Sequence, residues 1–218
     1  MVNPTRLQWV LLASSALLAG LLVWVLLFWQ PAPLVEKPMA RPEYLPTGTI
    51  DLRRSNVDAE FVLRSAAGPV NLDRYRGKVV LIYFGYTFCP DVCPTNLAIM
   101  SAAFGLLTEA ELQEVQGIFI SVDPERDSLE RLTQYTGFFH PRIVGLTGDP
   151  ATLAEIAKRY GAVYQRSTAQ SAGGHLVDHS SYVYVVNPEG DLDYALPHAA
   201  PPEVIARVVR DYVAGTSL

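Results

Sequence analysis

The 218-residue chain has few cysteines, and it lacks both an internal repeat and a cluster of lysine and arginine residues. The net charge of −5 and the missing basic cluster argue against a nucleic-acid partner. The only two cysteines, Cys89 and Cys93, lie together in YFGYTFCPDVCPTNL, residues 83–97. Because there is no other thiol, these residues form a redox pair, part of a metal site or a structural disulfide.

Charged residues are also absent from one long apolar run, LQWVLLASSALLAGLLVWVLLFWQ, residues 7–30. As a helix rising ~1.5 Å per residue, ~23 residues reach ~34 Å, which exceeds the hydrocarbon core of about 30 Å. All three tryptophans lie in this run, and Trp9 and Trp29 suit the two membrane interfaces. The sequence therefore predicts a transmembrane anchor at residues 7–30, after a short tail at residues 1–6.

A cleavable signal peptide is the alternative for this run. Signal peptides have an apolar region of about 7–15 residues that ends in small residues, whereas this run is longer and ends in Phe28 and Trp29. We therefore expect an uncleaved anchor, and no cysteine near its end could carry a lipid. Arg6 on one side nearly balances Lys37 and Arg41 on the other, so charge does not set the orientation.

The segment after the run, residues 31–48, holds five prolines and is predicted to be a stiff, extended tether. Residues 49–218 are then predicted to form one folded domain with a well-buried core.

Strand-like and helix-like patterns alternate within that domain. The strand patterns are FVLRSAAGPVNL (a hairpin around Gly-Pro), KVVLIYFGY, GIFISVD, RIVGLTG and SYVYVVNPEGDLDYAL (a second hairpin). The helix patterns are TNLAIMSAAFGLLT, DSLERLTQYTGFF (capped by Asp127 or Ser128), DPATLAEIAKRYG (closed by Gly161) and PPEVIARVVRDYVAG (with Pro202 in its first turn). This order predicts an α/β sandwich with a mixed central sheet.

The cysteines follow the apolar strand KVVLIYFGY and precede a helix. Pro94 suits the first helical position, which predicts Cys93 as the N-cap and Cys89 in the turn before it. Free backbone N–H groups and the positive end of the helix dipole would then lower the pKa of both thiols. We therefore expect two reactive sulfurs rather than a buried structural pair.

The spacing of the cysteines favours a metal but leaves a disulfide possible. Three residues separate them, against two in thioredoxin-type oxidoreductases. Two thiolates with this spacing suit a soft metal ion and can still close into a disulfide.

A third ligand would have to come from one of four histidines. His140 is expected at a helix end, His198 in a surface loop and His175 in the glycine-rich loop SAGGHLVDHS. His179 lies at the start of the strand SYVYVV, where composition alone does not distinguish a ligand from an ordinary surface histidine.

Four segments resemble, in sequence and in order, the Sco/SenC family of copper-binding proteins for cytochrome c oxidase assembly. They are GYTFCPDVCPTNL, SVDPERDSLERL, PRIVGLTGDP and LVDHSSYVYVVNPEGDL. The resemblance runs from about Leu52 to Val213 and extends to the anchor, and QRSTAQSAGGHL matches least. It implies a thioredoxin-like fold that binds one copper ion per chain, as Cu(I), Cu(II) or both. Carried over by motif, the copper ligands are Cys89, Cys93 and His179.

The resemblance also implies a function, a membrane-anchored copper chaperone for the binuclear copper (CuA) site of cytochrome c oxidase subunit II. It implies a domain that faces the periplasm from a bacterial inner membrane, since the short N-terminal segment has no evident mitochondrial presequence. Other periplasmic copper carriers or thiol reductants are further expected partners.

An enzyme is the alternative: a thiol-disulfide reductase for the cysteines of the same subunit, or a peroxidase-like thioredoxin relative. Cys89 and Cys93 would be its redox-active pair, and only the metal site needs His179. Nearby, Asp178 either orients a ligand or is solvated. Asp123 and Arg126 either form a salt bridge that shapes the cysteine loop or contribute to helix capping.

Overall fold

The computed structural model describes residues 4–28, 42–55, 57–171 and 174–215. The chain divides into two compact units, Met1–Ala40 and Arg41–Leu218. The predicted tail (residues 1–6) and tether (residues 31–48) lie partly outside the described residues. The last two residues of the predicted anchor lie wholly outside them.

The first unit contains helix α1, Pro4–Phe28. Its described large apolar side chains are exposed, among them Trp9 and Trp24. Within the described part of the chain, no helix combines the length and the apolar character needed to cross a membrane. The transmembrane part of the predicted fold is therefore not confirmed.

The second unit is built on a six-stranded sheet and two separate hairpins. Its strands are β1 (Ile50–Asp51), β2 (Val62–Ser65), β3 (Gly68–Asn71), β4 (Val79–Gly85), β5 (Val115–Ser121), β6 (Ile143–Leu146), β7 (Tyr164–Ser171), β8 (Gly174–His179), β9 (Val183–Val186) and β10 (Leu192–Leu196). The sheet order is β1-β10-β9-β4-β5-β6, in which β4, β5 and β6 are parallel and the other pairings are antiparallel. This confirms the predicted mixed sheet.

Strand β4 lies at the centre of the sheet. Each of its seven residues is apolar or glycine, and each is buried. A strand buried on both faces needs neighbours on both edges and helices on both sides. Strand β5 pairs with it in parallel from Val79 opposite Val115 to Gly85 opposite Ser121. The carboxyl ends of the two strands therefore lie side by side.

The helices after α1 connect and cover these strands. They are α2 (Val92–Gly105), α3 (Glu109–Gln113), α4 (Leu129–Phe139), α5 (Pro150–Tyr160) and α6 (Pro202–Val213), with a 3₁₀ turn at Leu72–Tyr75. Ser128, rather than Asp127, caps α4 by accepting a hydrogen bond from the Arg131 amide. Gly161 caps the end of α5 with a left-handed φ of 66°, as predicted, and Pro202 opens α6, as predicted.

Two sequence predictions of local structure were wrong. The first hairpin turns at Ala66 and Ala67, because Gly68 and Pro69 already pair in β3. The segment SAGGHLVDHS, expected to be a glycine-rich loop, contributes Gly174–His179 to the hairpin β7–β8. This hairpin pairs only with itself among the described strands and is mostly polar, so it has no apolar alternation in sequence.

Candidate metal centre

Both cysteines lie just beyond the carboxyl end of β4, as predicted, but the helix begins earlier than predicted. Asp91 is the N-cap, so Cys93 is the second helical residue and Pro94 the third. The amide of Thr95 closes the first turn onto the Asp91 carbonyl at 3.2 Å. Pro94 is tolerated there because the first N–H groups of a helix have no partner within it.

His179 reaches the cysteines from the hairpin. It is the last residue of β8, opposite Tyr164 of β7, and not the start of the following strand. Its Nε2 lies 3.1 Å from the Sγ of Cys93. One ligand atom each from Cys89, Cys93 and His179 lies within 4.8 Å of the others, which makes this a possible metal site among the described residues.

The His179 ring is oriented by its other nitrogen. Nδ1 lies 3.1 Å from the carbonyl oxygen of Ser180, a geometry in which Nδ1–H donates and the Nε2 lone pair faces the sulfurs. The rings of Tyr83 and Tyr86 each meet the imidazole edge-on at 5.9 Å between centroids. Asp178 is exposed and has no described contact with His179, so the orienting group is the neighbouring backbone.

The two thiols have opposite electrostatic environments. A hydrogen bond from Cys93 lowers the pKa of Cys89 far below its usual value, and the neighbouring His179 ring and the backbone N–H groups of Asp91 and Cys93 act in the same direction. Burial raises the pKa of Cys93, and its proximity to Cys89 raises it further. The expectation that the helix start lowers both pKa values was therefore wrong for Cys93.

Both cysteines are free and buried, and Cys93 has no solvent-exposed surface. The Cys93 sulfur fits close to strand β4 because residue 85 is a glycine and has no Cβ. A Cβ at Gly85 would lie 2.8 Å from Cys93 Sγ and 2.8 Å from Phe119 Cε2. The last residue of β4 therefore has to be glycine if Cys93 is to keep this position.

We expect Gly85→Ala to lower the free energy of unfolding by about 1–3 kcal/mol, the usual cost of forcing an extra carbon into a packed interior. Urea titration measures this. Gly137→Ala is the matched control, because a Cβ at Gly137 in helix α4 meets nothing within 4 Å. An unchanged midpoint and slope for Gly85→Ala would contradict the close approach.

The structure separates the remaining histidines from this centre. His140 caps the end of α4, as predicted. His198 lies in an exposed turn, as predicted, with Nδ1 3.2 Å from Asn96 Oδ1. His175 lies in β8, where its Nε2 is 3.4 Å from Asp123 Oδ2. Of the two alternatives for Asp123 and Arg126, the salt bridge is present, with Arg126 Nε 2.6 Å from Asp123 Oδ2.

Two residues that hold the centre together were not predicted from the sequence. The Tyr86 hydroxyl accepts a hydrogen bond from the Val177 amide at 3.2 Å and so joins the cysteine loop to β8. Buried Asn96 donates to the Ser181 carbonyl at 3.3 Å and so joins α2 to the segment after His179. A polar residue within the apolar helix TNLAIMSAAF was the available signal for Asn96.

A mixed-sheet α/β domain whose central strand leads into two cysteines, with a histidine brought alongside, defines a thioredoxin-like protein with a soft-metal or redox centre. The SCO1/SenC family model matches residues 51–214. The chain belongs to this family.

Individual relatives agree with this assignment. The chain is 42% identical over 113 residues to Protein SCO1 homolog 1 of Arabidopsis thaliana, which covers 52% of this chain and 34% of that protein. It is 37% identical over 141 residues to the SCO2 homolog of Bos taurus, covering 64% and 53%. The chain thus spans about a third to a half of these mitochondrial relatives. An SCO2-like protein of Rickettsia conorii is 32% identical over 159 residues, covering 71% and 74%.

Solved structures of the family have the same fold. The copper-bound ScoI of Arabidopsis thaliana has a TM-score of 0.67 at 31% identity and covers 73% of this chain and 99% of that one. Apo Sco1 of Thermus thermophilus has a TM-score of 0.62 at 42% identity, covering 71% and 89%. BsSco, a family member in which a disulfide switch was identified, has a TM-score of 0.55 at 27% identity, covering 71% and 92%.

Proposed function

We propose that this chain binds one copper ion through Cys89, Cys93 and His179 and delivers it to the CuA site of cytochrome c oxidase subunit II during assembly. The observation that carries the proposal is the convergence of two sulfurs and one imidazole nitrogen within 4.8 Å. Copper-bound relatives with the same fold support the choice of metal.

The donor set suits copper as cargo. Thiolates favour the soft Cu(I) ion, and imidazole suits copper in either oxidation state. The His179 Nε2 lone pair already faces the sulfurs, since Nδ1 is positioned to donate to the Ser180 carbonyl. Binding would require loss of the Cys93 proton, because burial keeps that thiol protonated. Three ligands leave the ion open to a partner that offers further ligands.

The proposed location is the periplasmic face of a bacterial inner membrane. The charge-free run at residues 7–30 would be the anchor and the proline-rich segment at residues 31–48 the tether. A tether of this kind would let the folded domain reach a membrane-bound oxidase subunit. Periplasmic copper carriers and thiol reductants are the partners that would load the site and keep it reduced.

Thiol-disulfide exchange is the second candidate function. It is favoured by the lowered pKa of Cys89 beside a second thiol, since a thiolate is the attacking species in exchange. Its substrate would be the cysteines of the same oxidase subunit.

A strain that carries only His179→Ala separates the two functions. The substitution removes a copper ligand, while both thiols and the hydrogen bond from the Cys93 amide to Cys89 Sγ stay in place. Under the proposed copper-delivery role, this strain loses oxidase activity under copper limitation, and added copper restores part of it. Oxidase activity in membranes is the measurement, at matched levels of the protein.

Two control strains complete this experiment. Cys89→Ser should fail under both functions, and His175→Ala should keep its oxidase because His175 faces Asp123 rather than the sulfurs. Wild-type oxidase activity in the His179→Ala strain together with failure of Cys89→Ser would replace copper delivery by thiol exchange.

A further inference from the structure

A buried carboxylate lies behind the cysteine loop. Asp127 is 1% exposed. Its Oδ1 accepts a hydrogen bond from the Thr87 hydroxyl at 2.6 Å, and its Oδ2 accepts from the Thr87 amide at 3.0 Å and the Ser121 hydroxyl at 2.6 Å. Three donors from two different segments therefore converge on one side chain.

These contacts join the chain at the point where it leaves the sheet. Ser121 is the last residue of β5, and Thr87 is two residues beyond the end of β4 and two residues before Cys89. The Val122 amide also donates to the Gly85 carbonyl, at 2.9 Å. Asp127 thus fixes the backbone of the cysteine loop against the neighbouring strand.

Two arginine side chains also hold Phe88, the residue of the cysteine loop that follows Thr87. Arg131 Nε donates to the Thr87 hydroxyl at 2.5 Å. Its guanidinium carbon lies 3.9 Å from the centre of the Phe88 ring, and that of Arg126 lies 4.8 Å from the same ring. The two residues that precede Cys89 are therefore both held by side chains of the segment after β5.

Stability alone is a poor reason for this arrangement. Burying a carboxylate is unfavourable unless its hydrogen bonds compensate, and well-packed apolar groups of similar volume often stabilise a protein as well or better. The carboxylate fixes the positions of its donors, because each donor has to lie at hydrogen-bonding distance from one of its oxygens.

We propose that Asp127 is a positioning residue for the copper centre: through Thr87 it sets the place of the Cys89 sulfur relative to Cys93 and His179. This inference rests on the proposed function, since it assigns Cys89 as a copper ligand. Asp127 does not contact the metal.

Two sets of variants isolate the hydrogen bonds. Asp127→Asn keeps the size of the side chain but removes its charge. In place of Oδ2 the NH₂ group faces the Thr87 amide, which is a donor, and in place of Oδ1 it faces the Thr87 hydroxyl, which already accepts from Arg131 Nε. Thr87→Val removes the hydroxyl at constant shape, whereas Thr87→Ser keeps the hydroxyl and removes a methyl group. Asp193→Asn is the matched control, a buried carboxylate that accepts from Asn187 and Tyr212 in the sheet region away from the cysteines.

The experiment uses the reduced full chain in detergent. Copper(I) affinity is measured by competition with a chromogenic copper(I) chelator, and thermal unfolding is recorded for each variant. We expect Asp127→Asn and Thr87→Val each to weaken copper binding by about 10- to 100-fold, the usual cost of losing a group that orients a metal ligand. Thr87→Ser and Asp193→Asn should stay close to the wild type in affinity, although both lose thermal stability.

A second measurement does not depend on copper. In the metal-free protein, the ratio of the alkylation rates of Cys89 and Cys93, read by mass spectrometry, should change in Asp127→Asn and Thr87→Val and not in the two controls. If Asp127→Asn does not fold, the Thr87 pair decides the question with both measurements.

The outcomes are distinct. Wild-type affinity and an unchanged alkylation ratio in Thr87→Val would overturn the positioning role. The positioning role would also be overturned if, across all four variants, the loss of copper affinity were proportional to the loss of thermal stability. A wild-type chain that binds no copper would instead contradict the proposed function, and the alkylation ratio would still decide the role of Asp127.

Discussion

Replacing His179 by alanine, or either cysteine by serine, should lower the copper affinity of the reduced protein by more than about 100-fold. This exceeds the 10- to 100-fold cost typical of losing a group outside the metal ligands. The reason is that the centre has three donors, one each from Cys89, Cys93 and His179, and each change removes one. The copper content of the purified reduced protein, expected at one ion per chain, gives the first measurement and chelator competition the second.

His175→Ala and His198→Ala are the matched controls for this prediction. Both remove an imidazole outside the proposed centre: half-buried His175 faces Asp123, and exposed His198 faces Asn96. Their copper content should therefore stay at one ion per chain. A His179→Ala protein with the stoichiometry and spectrum of the wild type would show that the ligand assignment is wrong.

Oxidation of the two cysteines to a disulfide should abolish copper uptake until a reductant is added. A Cys89–Cys93 disulfide removes both thiolates and leaves His179 as the only member of the proposed donor set. Both cysteines are free in the structure, with the Cys93 amide 3.5 Å from Cys89 Sγ. Formation of the bond requires the two sulfurs, which lie within 4.8 Å of each other, to move into contact.

The experiment compares copper loading before oxidation, after oxidation and after reduction of one preparation. Thiol alkylation and mass spectrometry verify the fraction of disulfide, and a phosphine reductant that does not bind copper through thiols restores the dithiol. The restored protein, which should again take up one ion per chain, is the control for damage by the oxidant. Undiminished copper loading of the verified disulfide form would refute this gating.

The central strands could be predicted from sequence because their patterns are local and unambiguous. In β4, seven consecutive apolar or glycine residues indicate a strand buried on both faces, and all seven are buried. The place of the cysteines after β4 followed from the same pattern. The N-cap was misplaced because Pro94 is compatible with more than one position in the first helical turn.

The arrangement of the site could not be predicted from local pattern, because it depends on contacts between distant segments. His179 reaches Cys93 only through a polar hairpin, which is joined to the cysteine loop by the Tyr86 hydroxyl and the Val177 amide. Its candidacy as a ligand came from family resemblance. Asp127 was predicted as a possible helix cap, whereas its hydrogen bonds reach Thr87, 40 residues away in sequence.

The opposite pKa shifts of the two thiols also depend on tertiary contacts that local sequence pattern does not show. Cys93 has no exposed surface, and its sulfur lies close to Gly85 at the end of β4, so its burial comes from tertiary packing. A helix start predicts a lowered thiol pKa only where the sulfur receives the backbone N–H groups, as that of Cys89 does.

X-ray absorption at the copper K-edge tests the central claim most directly, because it reports the atoms bound to copper without any substitution in the chain. For the reduced, copper(I)-loaded protein, the geometry of Cys89, Cys93 and His179 predicts two sulfur neighbours and one imidazole nitrogen neighbour. A copper ion with fewer than two sulfur neighbours, or with no imidazole nitrogen, would contradict the proposed centre.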